Sequence, residues 1–360
     1  MTGEHRHIRI STPGRICLFG EHQDYLHLPV IPAAISLRIS IEGETHEGDR
    51  VELDLPDVGE KISFSLAEPI VYTGPQDYFR SGVNVLRRAG FRFPRGISAV
   101  VRGEIPINAG TSSSSALTVS WIHFLSIAAD RGILSPEVIA KHAVTAEVEE
   151  FGEPGGQMDQ YSTALGGIIH LSFYPEQRLE RLSAPLTTFV LGNSRQPKDT
   201  RKILSRVKDG VRAIVGRLQR DHDAFSLFTV RYEELGRWQS DLSGAEMALL
   251  RGTVRNRDIT MEAHSLLRTA PLNVSRLFAL MNEHQTILRD VLEISTPKID
   301  RMLDAALEAG AVGGKINGSG GGGCMFAYAP TDPGAVAEAI RREGGDAYLV
   351  TIGEGTRVDP

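Results

Sequence analysis

Cysteine is nearly missing from this chain: 360 residues hold only Cys17 and Cys324, far apart in sequence. Two thiols cannot supply a disulfide framework, and such usage fits a reducing cytoplasm. No Cys/His spacing resembles a zinc site. No apolar run approaches the ~20 residues that a membrane span needs. The opening residues, Met1-Thr-Gly-Glu-His-Arg-His7, lack the apolar core of a secretory leader. A cytoplasmic location without a membrane partner is therefore expected. Positive charge is not in excess either. The formal net charge is −6, so bulk electrostatics do not favour nucleic acid. Internal repeats and low-complexity tracts are also absent.

What is present is ordinary in bulk. Hydrophobic content is 41% and charged content 23%, as in globular proteins generally. The length exceeds one typical core, so two domains are expected, 1–185 and 186–360. Short, partly alternating runs predict strands at Ile8 to Ser11, Ile35 to Glu42, Arg50 to Leu55 and Gly96 to Arg102. Helices are expected over Tyr78 to Gly90, Leu117 to Ala129 and Pro136 to Phe151, with Ser135 as N-cap of the last. Another starts at Gln157 and ends at Gly166-Gly167, before a strand over Ile168 to Phe173. Helical patterns dominate Thr200 to Gly310. Strands follow near Lys315 to Asn317, over Cys324 to Ala329 and over Ala347 to Ile352, with a helix between the last two. The basic stretch from Arg201 to Arg220 carries apolar residues at helical spacing, so its charges are expected on a solvated face.

Chemistry concentrates in four segments. The first runs from Pro106 through Asn108, Gly110, Thr111 and the serines Ser112, Ser113, Ser114 and Ser115 into an apolar helix. A loop that opens a helix in this way presents free N–H groups at the positive end of the helix dipole, which suits phosphate. It is not a Walker A loop, because no Gly-Lys-Ser/Thr follows the glycine. The second is Pro13 to Tyr25, where a strand-like apolar run ends in Glu21, His22, Asp24 and Tyr25. Such a density of polar groups past a buried strand is costly unless it binds something, and carboxylates with imidazole suit a polyhydroxylated ligand. The third is Ala146 to Gln160. Asp159 opens a helix after a glycine-rich turn, and Glu149 or Glu150 could face inward to a metal. In the fourth, Gly313 to Cys324, the glycines Gly318, Gly320, Gly321, Gly322 and Gly323 allow backbone to approach a ligand closely.

These segments, in this order, resemble the GHMP small-molecule kinases. Gly14-Arg15 followed by Gly20-Glu-His-Gln-Asp-Tyr25 resembles the galactokinase branch, as do Ala146 to Gln160, Met281 to His284 and Lys315 to Cys324. The resemblance implies an α+β, two-domain fold. Its N-terminal α/β domain would be ribosomal-S5-like and would bind ATP, and its C-terminal domain ferredoxin-like. It implies ATP and Mg²⁺, with the serine loop, Gly318, Gly320 and Gly321 at the nucleotide and Ser114 and Glu149 at the metal. It implies Asp159 as catalytic carboxylate with Arg15 beside it. Glu21, His22, Asp24 and Tyr25 would hold the sugar. The implied protein is a monomer or homodimer that phosphorylates the anomeric hydroxyl of galactose or a related sugar.

The acceptor side departs from that branch. Cys17 replaces its usual Asn, and Leu26-His-Leu-Pro29 replaces an Asn-Gly-Gly stretch. Asn108 and Thr111 depart from Gly-x-Gly-Leu. Leu191 to Thr200 lacks the segment whose tyrosine helps to hold the sugar, and looks more like that of mevalonate or heptose kinases. Another acceptor (a sugar acid, a heptose phosphate or a mevalonate-like alcohol) or a non-catalytic sugar and ATP sensor are the competing expectations. Glu21, His22 and Asp24 argue for a neutral polyol, because a second anion would meet two carboxylates. An intact Arg15, Asp159 and serine loop argue against a sensor.

Overall fold

Residues 7–67, 69–129, 132–197 and 200–360 are described by a computed structural model. The Met1 to Arg6 leader and Lys198-Asp199 of the acceptor-side segment lie outside them. The long strand β1 (His7–Phe19) alternates exposed and buried residues at its start and is then wholly buried. It pairs antiparallel with β2 (Ile31–His46), and both strands run through two cores. Their outer parts, with Ile10 and Ile41, join one core. Their inner parts, with Ile16, Phe19, Ile31 and Ile35, join a second. The pairing register shifts between Pro13 and Arg15, close to where the strand passes from one core to the other. A bulge of this kind re-aims side chains.

β3 (Arg50–Leu55), β4 (Glu60–Ser65), α1 (Tyr78–Arg88) and β5 (Gly96–Gly103) follow. The sheet runs β1-β2-β5-β3-β4, with β3 and β5 parallel. α2 (Ser113–Ala128) lies in the first core and is apolar almost all round, with Ala116, Val119, Trp121, Ile122, Phe124 and Leu125 buried. α3 (Pro136–Val144) is capped by Ser135, whose side chain accepts from the Val138 N–H. Instead of continuing to Phe151, this helix widens into a π-turn over Thr145–Glu149. α4 (Met158–Leu165), β6 (Ile168–Ser172) and β7 (Arg178–Leu182) complete this half, with β6 pairing both β2 and β7. β4 and β7 were not expected. Both are polar edge strands with weak alternation.

The second half opens with β8 (Thr188–Asn193), α5 (Thr200–Asp221), α6 (Gly244–Leu267), α7 (Val274–Asp290) and α8 (Pro297–Glu308). It closes with β9 (Gly313–Ile316), β10 (Cys324–Tyr328), α9 (Pro333–Arg342) and β11 (Asp346–Thr351). The antiparallel order β11-β8-β10-β9 is the ferredoxin-like arrangement, with α5 to α8 in its first crossover. Residues of β8 and β10 alternate between the core shared with the first sheet (Phe189, Leu191, Phe326) and one under α8 and α9 (Val190, Met325, Ala327). The strands of this sheet all lie beyond residue 186, but the chain then returns. β12 (Arg357–Val358) pairs with β1 and extends the first sheet. The expected solvated face of α5 is partly engaged: Lys208 donates to the Pro154 carbonyl at 3.0 Å and Arg212 to that of Tyr25 at 3.0 Å. No helix among the described residues is long and apolar enough to cross a membrane.

Candidate active site

A cleft between the two halves is lined from the serine loop, the ends of β1 and α4, and the glycine-rich loop before β10. Arg15 follows the register shift in β1 and is buried. Its guanidinium makes a two-pronged contact with Asp159 in the first turn of α4, Nε to Oδ1 at 2.8 Å and Nη2 to Oδ2 at 2.9 Å, and Nη1 donates to the Gly110 carbonyl. Burial works against the charged guanidinium, but Asp159 and then Glu21 outweigh it, so the Arg15 pKa lies above its ordinary value. A fork geometry of this kind fixes the orientation of the carboxylate.

The serine loop forms the wall beside that pair. Asn108, Gly110, Ser112, Ser113, Ser114 and Ser115 line the cleft. Asn108 and Ser112 have positive φ, and α2 starts at Ser113 with no side-chain cap. Its first N–H groups therefore lie at the positive end of the helix dipole without a capping side chain. The Ser112 hydroxyl oxygen is buried without a hydrogen-bond partner among the described residues. An unsatisfied hydroxyl beside an uncapped helix N-terminus fits a bound phosphate group. Thr111 does not line the cleft. It is buried, and its carbonyl accepts the Arg15 N–H at 3.1 Å, which ties the loop to β1.

The glutamate that faces the cleft is Glu147. Glu149 is exposed and outside the cleft, and Glu150 is drawn away to Arg88 and Tyr72. Glu147 accepts from the Ser115 hydroxyl at 3.0 Å and from Gln160 Nε2 at 2.7 Å. Burial raises its pKa to about 7, against hydrogen bonds from Gln160, Ser114 and Ser115. A buried carboxylate ringed by hydroxyls is a set of hard oxygen donors and fits Mg²⁺. The signal for Glu147 was available in the sequence. Ile139, Ala143 and Glu147 follow at intervals of four, on the buried face of α3.

The opposite wall carries the segment after β1, which forms a single 3₁₀ turn, Asp24–Leu26. Glu21 is buried and ion-paired with the fully buried Lys315, and accepts the Gly318 N–H at 2.6 Å. His22 Nδ1 meets the Tyr25 hydroxyl at 2.6 Å and Nε2 meets the Ser319 carbonyl at 3.0 Å. Burial lowers the His22 pKa to about 4, so the ring is neutral at pH 7. The Asp24 carboxylate accepts the N–H groups of Tyr25 at 2.9 Å and Met158 at 3.1 Å. Burial, and then Asp159, raise its pKa to about 6. A Cβ on Gly156 would lie 2.1 Å from Asp24 Oδ2, so only glycine allows this approach.

Gly318, at φ +81°, lets the glycine-rich loop meet the serine loop; a Cβ there would lie 2.8 Å from the Gly110 carbonyl. Gly320 and Gly321 lie elsewhere, packed against Ile294 and Ile203. Asn317 joins the parts. It accepts the Cys17 N–H at 2.8 Å and donates to the Gly110 carbonyl at 2.8 Å. On α7, Asn282 and Gln285 accept N–H groups of Gly314 and Ile316 and hold β9 in place. Lys315 and Asn317 were not anticipated, because their partners are distant in sequence; Gln160, bonded to Glu147 thirteen positions earlier, was not anticipated either.

Three family signatures match the chain: the galactokinase galactose-binding signature at residues 2–44, the GHMP kinases N terminal domain at 77–167 and the GHMP kinases C terminal at 264–346. A galactokinase of Actinobacillus succinogenes is 30% identical over 93% of this chain and 88% of its own. A mevalonate kinase of Thermococcus sibiricus is 28% identical over 97% of both. The Lactococcus lactis galactokinase solved with galactose superposes with a TM-score of 0.86 at 23% identity, covering 98% of this chain and 95% of its own. With the two-domain fold and the shared cleft, these matches show that the chain belongs to the GHMP kinases, ATP-dependent kinases of small molecules.

Proposed function

We propose that this protein is a Mg²⁺- and ATP-dependent sugar kinase that phosphorylates the anomeric hydroxyl of galactose or a closely related sugar. The observation that carries the reading is the Arg15–Asp159 pair, set between the serine loop and the Asp24 wall. Phosphoryl transfer depends on positioning and on neutralising charge more than on covalent chemistry. Asp159 accepts the proton of the sugar hydroxyl as its oxygen attacks the γ-phosphorus. Arg15 holds Asp159 oriented and offsets negative charge nearby. The serine loop and the start of α2 hold the phosphates. Glu147 and Ser114 would ligate Mg²⁺, which supplies charge neutralisation on the phosphate oxygens when bound. Asp24 and the neutral His22 orient sugar hydroxyls.

The galactose-binding signature over residues 2–44 supports a sugar. One feature favours a second reading, a mevalonate-like alcohol. Lys315 and the Gly318 N–H already engage both oxygens of Glu21, and the mevalonate kinase relative covers almost the whole chain. An ADP-release assay with galactose, other hexoses, sugar acids, a heptose phosphate and mevalonate separates the readings. Galactose or a related sugar should stimulate ADP release most. Turnover with mevalonate and none with any sugar overturns the proposal.

A further inference from the structure

Outside the cleft, one cluster joins the two halves of the molecule through three groups that all ligate metals. His170 on β6 and Glu180 on β7 stand directly opposite each other in the hairpin register. Cross-strand partners of this kind point to the same face of a sheet. His264, near the end of α6, lies over them. Its Nε2 is 2.8 Å from Glu180 Oε2, and its ring stacks on that of His170 with centroids 3.8 Å apart and planes 14° apart. One donor atom from each residue lies within 4.8 Å of the other two.

Nothing in the kinase reading uses these residues. They do not line the cleft. The set is also chemically selective. Two imidazoles and one carboxylate suit zinc and its first-row neighbours rather than Mg²⁺ or Ca²⁺. Arg268 sits on the other Glu180 oxygen at 3.1 Å. It orients the carboxylate while leaving Oε2 available, and its side chain is 61% exposed, so solvent screens its repulsion of a cation.

We propose that His170, Glu180 and His264 bind a single first-row divalent cation, zinc in the first instance, which clamps the β6–β7 hairpin to α6. The cation takes the place of the proton shared between His264 and Glu180. Tetrahedral zinc holds its ligand atoms about 3.3 Å apart, so the two rings tilt out of their stack by a small side-chain movement. Water completes the shell on the open side. The effect falls on stability and on the fit of α6 to the first sheet. One turn and more before His264 on that helix, Thr260 hydrogen-bonds Gln23 beside the acceptor wall at 3.3 Å.

The test uses the full chain without a histidine tag, free of nucleotide. Zn²⁺ binding is followed by calorimetry, Co²⁺ by visible absorption, and Tm is recorded with and without Zn²⁺. Wild type should bind one equivalent more tightly than His170→Gln, His264→Gln or Glu180→Gln by at least about tenfold. At about 100-fold excess over Kd its Tm should rise by roughly 4 °C, a rise that the variants lose. His170→Gln without added metal should keep wild-type turnover, which separates loss of the clamp from damage to the cleft. If one of the other two variants does not fold, His170→Gln alone decides. Equal Zn²⁺ binding and equal Tm response in wild type and His170→Gln overturn the proposal, because any bound metal then sits elsewhere.

Discussion

The two walls of the cleft are built on opposite principles. On the serine-loop wall some polar groups are left open: among the described residues Ser112 has no side-chain hydrogen-bond partner and α2 has no side-chain cap. On the facing wall the charged groups are already engaged inside the protein. Glu21 holds Lys315 and Gly318, His22 bridges Tyr25 and Ser319, and Asp24 takes two backbone N–H groups. An open wall suits a ligand that brings its own charge, as a phosphate does. A braced wall offers few remaining lone pairs but holds them rigidly, which suits choosing among neutral acceptors by shape.

The largest effect is expected where the walls meet. Asp159→Asn should lower kcat by roughly 10²–10⁴-fold, the range typical of a lost general base, with native-like thermal unfolding. Near wild-type turnover in a single-turnover assay would show that transfer needs no carboxylate here. A difference in stability should follow between the walls. Lys315→Met leaves Glu21 buried without its cation and should cost about 3–5 kcal/mol in denaturant unfolding. Ser112→Ala removes only an unsatisfied hydroxyl and should change stability by less than about 0.5 kcal/mol while raising KM for ATP. Equal costs for the two would erase the contrast.

A smaller effect tests which glutamate serves the serine-loop wall. Glu147→Gln should lower kcat/KM for MgATP by about 10²-fold, comparable to other lost metal or charge-stabilising contacts. Glu149→Gln should stay within about twofold of wild type, since its side chain is exposed. The smallest concerns pH. The Asp24 pKa of about 6 means that the carboxylate gains a proton as pH falls through that value. On the proposed role of Asp24 at the acceptor, its protonation removes the charge that receives hydroxyl hydrogen bonds, so kcat/KM for the acceptor should fall about tenfold between pH 7 and 5. Asp24→Asn should start lower and lose that acid limb. An unchanged limb in the variant assigns it to another group.

Much of the serine-loop wall was legible in the sequence, because its residues are local: a loop, a helix start and one aspartate after a glycine turn. Serine and glycine there have few structural reasons to cluster. Glu149 was the misplaced member. The eye follows the acidic run toward Phe151, while the helix buries every fourth residue from Ile139 and its π-turn carries Glu147 inward. Gly320 and Gly321 misled for a related reason, since a glycine-rich loop needs room against Ile294 and Ile203 as well as against a ligand. The acceptor wall was legible only as a list of polar residues. Its bracing depends on Lys315 and Ser319, nearly three hundred positions from Glu21 and His22, and no local pattern signals such pairs. Strands β4 and β7 escaped because polar edge strands carry little alternation.

The return of β12 to the first sheet has a consequence for how the molecule is assembled. Thr356, just before that strand, shares a 2.8 Å hydrogen bond with Thr12, 344 positions earlier, and meets the buried His123 at 2.9 Å. During synthesis the outer edge of β1 waits, unpaired, until the second half has been made and folded back. Contacts spanning such distances are slow to form, and an open strand edge invites wrong partners meanwhile. A fragment cut near residue 185 would carry that open edge permanently.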